Sequence, residues 1–431
     1  MSAEQVRPGY QLTEVGVIPE DWEVKPLDQI AVFLDSQRKP VKDSDRLRMQ
    51  GDIPYYGASG VIDYVDDYLF DDELILLAED GENILSRSSR VAFRISGKAW
   101  VNNHAHVLKP KDMVDIGYVT EYLESLDYSQ YNSGSAQPKL NKQVCLSISI
   151  PLPPLPEQRA IAAALGDVDA LLAGLERLIA KRRAVKQAAM DALLSGRVRL
   201  PGFGQGAGHR QSEVGVIPED WEVKRIGEIC VQFLNGGTPS TKIPEYWTGN
   251  IPWITGADLA DQEVKQVRRY ITEDAVRNSA TNIIAQGNLL VATRTGIGKV
   301  AIAGFDLAIS QDLTGVYLDN EIALTEYVYR VLDHQSKNLI TFSQGTSITG
   351  VTREDFASIV LPLPSLPEQR AIAAVLSDMD AAIAALARQR DKVQALKQGM
   401  MAELLTGRVR LVGPPAAPYN DDRATGEEKR L

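Results

Sequence analysis

The sequence predicts two mixed α/β (α+β) bodies in tandem, each followed by a long helix, with the two helices paired as a coiled coil. Three observations predict it: the chain repeats itself, one repeated part holds helical periodicity over 38 residues, and the parts between read as short strands and turns. The twelve residues Glu14 to Lys25, EVGVIPEDWEVK, recur unchanged from Glu213 to Lys224, 199 positions on. LPEQRAIAA begins at Leu155 and again at Leu366, and the DALLSGRVRL ending at Leu200 is answered by AELLTGRVRL ending at Leu411, both 211 positions on. The organisation that follows is a first body over 10–152, a first helix over 153–200 and a linker over 201–212. A second body over 213–363, a second helix over 364–411 and a flexible tail over 412–431 complete it.

Between the two bodies almost nothing aligns, while the opening segments and the helical arms nearly repeat. Two scaffolds holding two different readers is the simplest physical meaning. Tandem duplication with drift accounts for the copies but not for arms that stayed alike while the bodies diverged.

Each arm, Glu157 to Leu194 and Glu368 to Leu405, lacks proline and is rich in Ala, Leu, Lys and Arg. At 1.5 Å per residue such a helix spans about 57 Å. Pro156 and Pro367 precede the arms, where a missing N–H costs nothing, and Glu157 and Glu368 set negative charge at the positive helix end. Gly196 and Gly407 supply the stops. Ile161, Leu165, Val168, Leu172, Leu175 and Ile179 alternate by four and three, and Ile372, Leu376, Met379, Ile383 and Leu386 repeat the rhythm. This spacing is a coiled-coil seam, and two equal stripes bury each other, parallel or antiparallel. The rhythm meets Arg182 and Arg390, after which Val185, Ala189 and Ala192 suggest a shifted seam. Packing of each arm on its own body is the alternative. The first arm, with its GRVRL stop, carries eight basic against five acidic residues, and its cluster Lys181 to Lys186 is where a phosphate or an acidic partner could be met.

In the first body, IPYYGASGVIDYV, YLFDDELILLAEDG and RVAFRI read as strands and turns. Arg87, Ser88 and Arg90 form a small basic loop, and Ser133, Gln137 and Lys139 another. His104 and His106 lie two apart, as metal ligands on one strand face would, but no third ligand stands at useful spacing, so hydrogen-bonding histidines and no metal are expected. The second body sets Thr238, Ser240, Lys242, Arg294, Thr295, Lys299, Gln311, Gln344 and Thr346 in Gly-rich loops between strands. Hydroxyls and amides with occasional Arg or Lys suit phosphate positioning and base-edge hydrogen bonding. None of these loops has the register of a P-loop.

Composition excludes several classes. The chain has 431 residues and a formal charge of −11, which argues against coating nucleic acid by bulk charge. Cys145 and Cys230 stand far apart, so neither a disulfide framework nor a CxxC zinc site is present and a reducing, cytosolic setting is expected. No 18-residue apolar run exists to span a bilayer. There is no NPPY-like tetrapeptide, no Walker sequence and no Ser, His and Asp set; the ExK formed by Glu23, Val24 and Lys25 lacks an upstream catalytic Asp and sits beside a Trp packing anchor.

Two variable bodies, each introduced by GVIPEDWEV and followed by PLPPLPEQRAIAAAL or PLPSLPEQRAIAAVL and then by a helix ending ALLSGRVRL or ELLTGRVRL, resemble the specificity subunit of a type I restriction-modification enzyme. The likeness runs over residues 10–411 and includes GGTPS, GNIPWITGADL and SQDLTG. It implies that each body is a target recognition domain for half of a split DNA site and that the helices form the spacer between halves. It also implies that the chain has no catalytic centre or cofactor. Its partners would be double-stranded DNA, two modification subunits carrying the adenine methyltransferase, and restriction and motor subunits in the full complex. A two-faced protein scaffold without DNA specificity is the rival reading.

Overall fold

The apolar runs of both bodies become strands buried on both faces. Leu74–Ala78 is fully buried, with Ile75 and Leu77 turned into one core and Leu74 and Leu76 into another, as a period of two requires. Leu289–Ala292 divides itself in the same way, Leu289 and Val291 on one side and Leu290 and Ala292 on the other. The computed structural model describes residues 6–135, 137–335 and 351–412. The chain forms two compact units, one from the described parts of Met1–Glu176 and Arg388–Leu431, the other from those of Arg177–Ala387.

In the first unit one sheet has the order Ala31–Phe33, Ala105–Pro110, Leu74–Ala78, Ala92–Ile95, and a second sheet the order Gly60–Val65, Gln50–Gly57, Lys98–Val101, Phe70–Asp71. In the second unit the orders are Cys230–Asn235, Leu313–Leu318, Leu289–Ala292, Val300–Ala303, Glu263–Val264 and Arg269–Ile271, Ile251–Ile254, Leu307–Ile309, Asn282–Ile284. The bodies therefore share one plan despite their diverged sequences. Each body ends by pairing with its own opening segment, Ser149–Leu152 against Glu23–Pro26 and Val360–Leu363 against Glu222–Arg225. A helix, Ile116–Ser125 or Thr325–His334, packs beside this pair, and Tyr118 and Tyr327 donate their hydroxyls to the carbonyls of Pro151 and Pro362 at 2.7 and 2.9 Å.

The long helices run Leu155–Leu194 and Leu366–Leu404, starting two residues earlier than expected, so that each proline falls inside the first turn. In the first unit Ile161 and Leu165 join Leu404 and Leu405 in the core; in the second, Ile372 and Leu376 join Met190, Leu193 and Leu194. Each unit thus packs the start of one arm against the end of the other, which is antiparallel pairing. Both expected modes of burial occur together, since the same residues also meet the body of their unit. Leu172, Leu175 and Ile179 are buried, whereas Val168, Met379, Ile383 and Leu386 are half-buried. The shifted seam through Val185 is corrected: Val185 is 46% exposed, and burial resumes at Met190, Leu193 and Leu194.

The repeated motifs meet in two equivalent ionic stations. In the second unit Arg199 of the first GRVRL places Nε and Nη2 on Glu368 at 2.5 and 2.7 Å and its other edge on Asp220 at 2.9 Å. Trp221 Nε1 donates to the same Glu368 at 3.1 Å, and the Arg199 guanidinium stands 5.5 Å from the Trp221 ring. In the first unit Arg410 of the second GRVRL does the same with Glu157 at 2.6 Å, Asp21 at 2.8 and 2.9 Å, and Trp22. Gln158 and Gln369 of LPEQ tie the arm to its own body, accepting from the backbone N–H of Asp115 and Leu324 at 2.8 Å. Gly196 and Gly407 have φ of +70° and +66°, and a Cβ on either would lie within 2.5 Å of the ring of Pro218 or Pro19. The glycines are therefore needed both for the turn and for the close approach of the opening segment.

Candidate nucleic-acid interface

In the second body the ladder between Leu289–Ala292 and Leu313–Leu318 ends at Ala292 opposite Leu313. Just beyond it Thr293 N–H donates to the Asp312 carbonyl at 2.9 Å, and Thr295 Oγ1 donates to the Asp312 carboxylate at 3.2 Å. Gly236 N–H reaches back to the Leu313 carbonyl at 3.1 Å, which brings in the neighbouring loop, and Thr238 Oγ1 hydrogen-bonds the Gln311 side-chain oxygen. The structure therefore gathers Thr238, Arg294, Thr295 and Gln311 at one end of the sheet, all exposed. Ser240 and Lys242 continue the Thr238 loop, and Lys299 closes the Arg294 loop by donating its N–H to Gly296 at 3.1 Å. Lys242, Arg294 and Lys299 carry no ion pair among the described residues. Gln344 and Thr346 lie outside the described residues.

The first body repeats this backbone frame with other side chains. Ala78 pairs with Ala105, and Glu79 N–H donates to the His104 carbonyl at 2.8 Å. Leu140 N–H then donates to the Glu79 carbonyl at 2.7 Å, as Val351 does to Thr293 at 2.8 Å. Glu79 and Asp80 thus stand where the second body has Thr293 and Arg294, and Asn103 and His104 where it has Gln311 and Asp312. Ser133, Gln137 and Lys139 belong to one loop beside them, closed by the Asn132 side chain, which accepts from the N–H of Gly134 and Lys139 at 3.0 and 2.9 Å. Lys139 Nζ lies 3.3 Å and Arg38 Nη1 2.7 Å from Glu79, and His104 Nδ1 is 2.9 Å from Asp80. Burial would raise the Glu79 carboxyl, but Arg38, His106 and Lys139 hold it below the ordinary range.

Arg87, Ser88 and Arg90 are not part of this loop end. Arg87 bonds Glu124 at 3.0 Å, Ser88 bonds Asn83 at 3.2 Å, and Arg90 joins Glu121 at 2.5 Å and Asp169 of the arm at 3.2 Å. Lys186, from the basic cluster of the first arm, is held by Asp380 at 2.6 Å. The residues that sequence reasoning missed are Arg38, Glu79 and Asp80. Strand pairing sets Glu79 and Asp80 at positions equivalent to Thr293 and Arg294, and Arg38 reaches Glu79 through its side chain.

His106 is 1% exposed, with Nδ1 2.7 Å from Asp35 and Nε2 2.8 Å from the Leu140 carbonyl. Burial would lower its pKa, but these partners, the Asp35 carboxylate foremost, together with Cys145 raise it to about 10. The protonated ring donates from both nitrogens and holds the loop end. Because the folded pKa is raised, its stabilisation is whole below pH 6.5 and fades as pH rises towards 10. Urea titrations from pH 6 to 10 are expected to show stability falling in this window and a flatter curve for His106→Gln; parallel curves would refute the assignment.

The family described as type I restriction modification DNA specificity domain matches residues 19–181 and 218–395. A protein of Haemophilus influenzae named as a type I restriction enzyme specificity subunit is 28% identical over 364 residues, 83% of this chain and 87% of its own length. A protein of Methanocaldococcus jannaschii named as the MjaX specificity subunit is 26% identical over 423 residues, 93% and 97% of the two chains. The crystal structure of a type I restriction-modification S subunit from M. genitalium shares the fold with a TM-score of 0.59 over 91% of this chain and 97% of that one, at 13% identity. With both bodies and most of both arms inside the matched segments, the chain belongs to the type I restriction modification DNA specificity domain family.

Proposed function

We propose that the chain is the DNA sequence-recognition subunit of a type I restriction-modification complex. It reads a bipartite, asymmetric site with one body per half and directs adenine methylation or restriction by partner subunits. The observation that carries this is one backbone frame with two chemistries at its loop ends: Glu79, Asp80 and His104 in one body, Thr293, Arg294 and Asp312 in the other. Equal frames with unlike hydrogen-bonding groups are what reading two different sequences demands. The net charge of −11 is compatible with this, because Lys242, Arg294 and Lys299 supply cations locally while partners share the phosphate contacts.

The partners are double-stranded DNA, two methyltransferase subunits and, for restriction, motor and nuclease subunits. The chain itself supplies recognition, and the arms act as the spacer between half-sites. Among the described residues no helix is long and apolar enough to cross a membrane. The complex works in the cytosol, where its DNA lies.

Transfer of labelled methyl groups to duplex DNA is expected only when the chain and its modification subunit are combined; methylation by the isolated chain would sink the reading. Replacing 26–150 with the body of a relative is expected to change one half of the methylated sequence and leave the other. Arg294→Ala is expected to cost about 1–3 kcal/mol of affinity and to relax discrimination in one half only. Uniform weakening across all sequences would instead put Arg294 on phosphate.

A further inference from the structure

Each body meets the arms at a second ionic junction, distinct from the arginine stations. The arm residues are again duplicates, Asp169 with Asp380 and Lys186 with Lys397, each 211 apart. In the first unit Lys397 lies 2.8 Å from Asp169 and 2.8 Å from Glu121 of the body helix, while Arg90 of the body reaches Asp169 at 3.2 Å. In the second unit Lys186 lies 2.6 Å from Asp380, and Arg330 of the body helix reaches Asp380 at 2.5 Å, Gln262 at 2.7 Å and Ser377 at 3.2 Å.

Glu121 and Arg330 occupy the same helix position, each three residues after the tyrosine that bonds the carbonyl of Pro151 or Pro362. They are 7% and 1% exposed. One arm aspartate and one arm lysine thus receive a buried anion from one body and a buried cation from the other. The arm pair offers both signs, so it can hold either. In the second unit the remaining partners, the Gln262 amide and the Ser377 hydroxyl, can each donate or accept.

We propose that Asp169 with Lys397, and Asp380 with Lys186, are positioning residues that orient each recognition body on the arms and so fix the length of the unspecified gap. This rests on the reading of the arms as the spacer. The arginine station, the Gln158 or Gln369 tie and the core around Ile161 or Ile372 all fasten a body near the start of one arm. Asp169 and Asp380 each lie twelve residues beyond the station glutamates Glu157 and Glu368, about 18 Å along the helix. An attachment that far along the helix adds leverage against tilting of the body on the arm. A carboxylate shared by a lysine of the opposite arm and a guanidinium of the body links arm pairing to body orientation at one atom group.

The test combines the full chain with its methyltransferase subunit and maps methylation on duplexes whose half-sites are separated by gaps differing by one base pair. Asp380→Lys with Lys186→Asp keeps the arm pair but sets a like charge against Arg330. This double variant is expected to lose about tenfold in methylation rate at the parental gap. It should also gain methylation at neighbouring gaps, with the bases read in both halves unchanged. Adding Arg330→Glu inverts the third charge of the junction, so that the contacts at position 380 again join opposite signs, and is expected to restore the parental gap preference. Asp380→Asn, which keeps the side-chain shape, guards against simple unfolding and should show the same broadening more weakly. Variants that lower thermal stability yet keep the parental gap preference would overturn the proposal, as would a triple variant that regains stability without regaining the preference. No methylation by the wild-type complex at any gap would remove the reading of function itself, and the proposal with it.

Discussion

Arg199→Ala is expected to cost the second unit about 3–5 kcal/mol, because it leaves a buried carboxylate without its cation. The Glu368 side chain is 2% exposed and takes two of the four bonds that the guanidinium makes, at 2.5 and 2.7 Å. After the substitution Trp221 Nε1 alone remains on it among the described residues. Arg199→Lys should rescue little, since one ammonium cannot serve Glu368 and Asp220 with the parallel bonds that the planar fork provides. Arg410→Ala should act alike on the first unit through Glu157, whose side chain is 1% exposed. Denaturant unfolding with a probe in each body separates the two: Arg199→Ala should move the transition of the second body far more than that of the first, and Arg410→Ala the reverse. A change below about 1 kcal/mol would mean that the pair behaves as a surface salt bridge. Methylation should fail in both variants, because an intact site needs both readers.

Those stations show what repetition in a sequence can and cannot reveal. Glu157, Trp22 and Arg410 each stand inside a duplicated motif, so their importance was legible. Their meeting was not, because Arg410 lies 253 residues from Glu157 and belongs to the other copy. Local spacing reads as a helix start and a helix stop, and only the antiparallel pairing of arm starts with arm ends joins them. The seam was legible for the same reason that any stripe is, since periods of three and four show which face is apolar. It does not show how much is covered. Ile161 and Leu376 are fully buried where a body also packs on the helix, whereas Ile383 and Leu386 stay half-exposed. A basic residue in a polar loop has one signature in sequence whether it meets phosphate or a carboxylate, and only the structure pairs Arg90 with Asp169. The loop end of the second body was legible through its hydroxyls, amides and glycines. That of the first body is built on Glu79 and Asp80, and the cations that offset Glu79, Arg38 and Lys139, lie far from it in sequence.

Insertion of four residues after Leu175 is expected to lengthen the unspecified gap of the methylated site by one or two base pairs and to leave both half-site sequences intact. Four residues add about 6 Å of helix, and at about 3.4 Å per base pair that approaches two steps of DNA. Four turns of 100° exceed a full circle by about 40°, so the apolar stripe keeps nearly its phase. The second arm must accommodate the change, and Met379, Ile383 and Leu386 are where it can, because half-buried side chains lose little on shifting. Leu172→Asp supplies the contrast. Leu172 is 8% exposed, so the carboxylate would be buried without a partner, at a cost of several kcal/mol. That variant should lose methylation at every gap together with thermal stability, whereas the insertion should keep activity and change only the distance read. Sequencing the methylated sites of both proteins separates stability from measurement. An active insertion variant with the parental gap would show that these helices hold the bodies without setting the distance between half-sites.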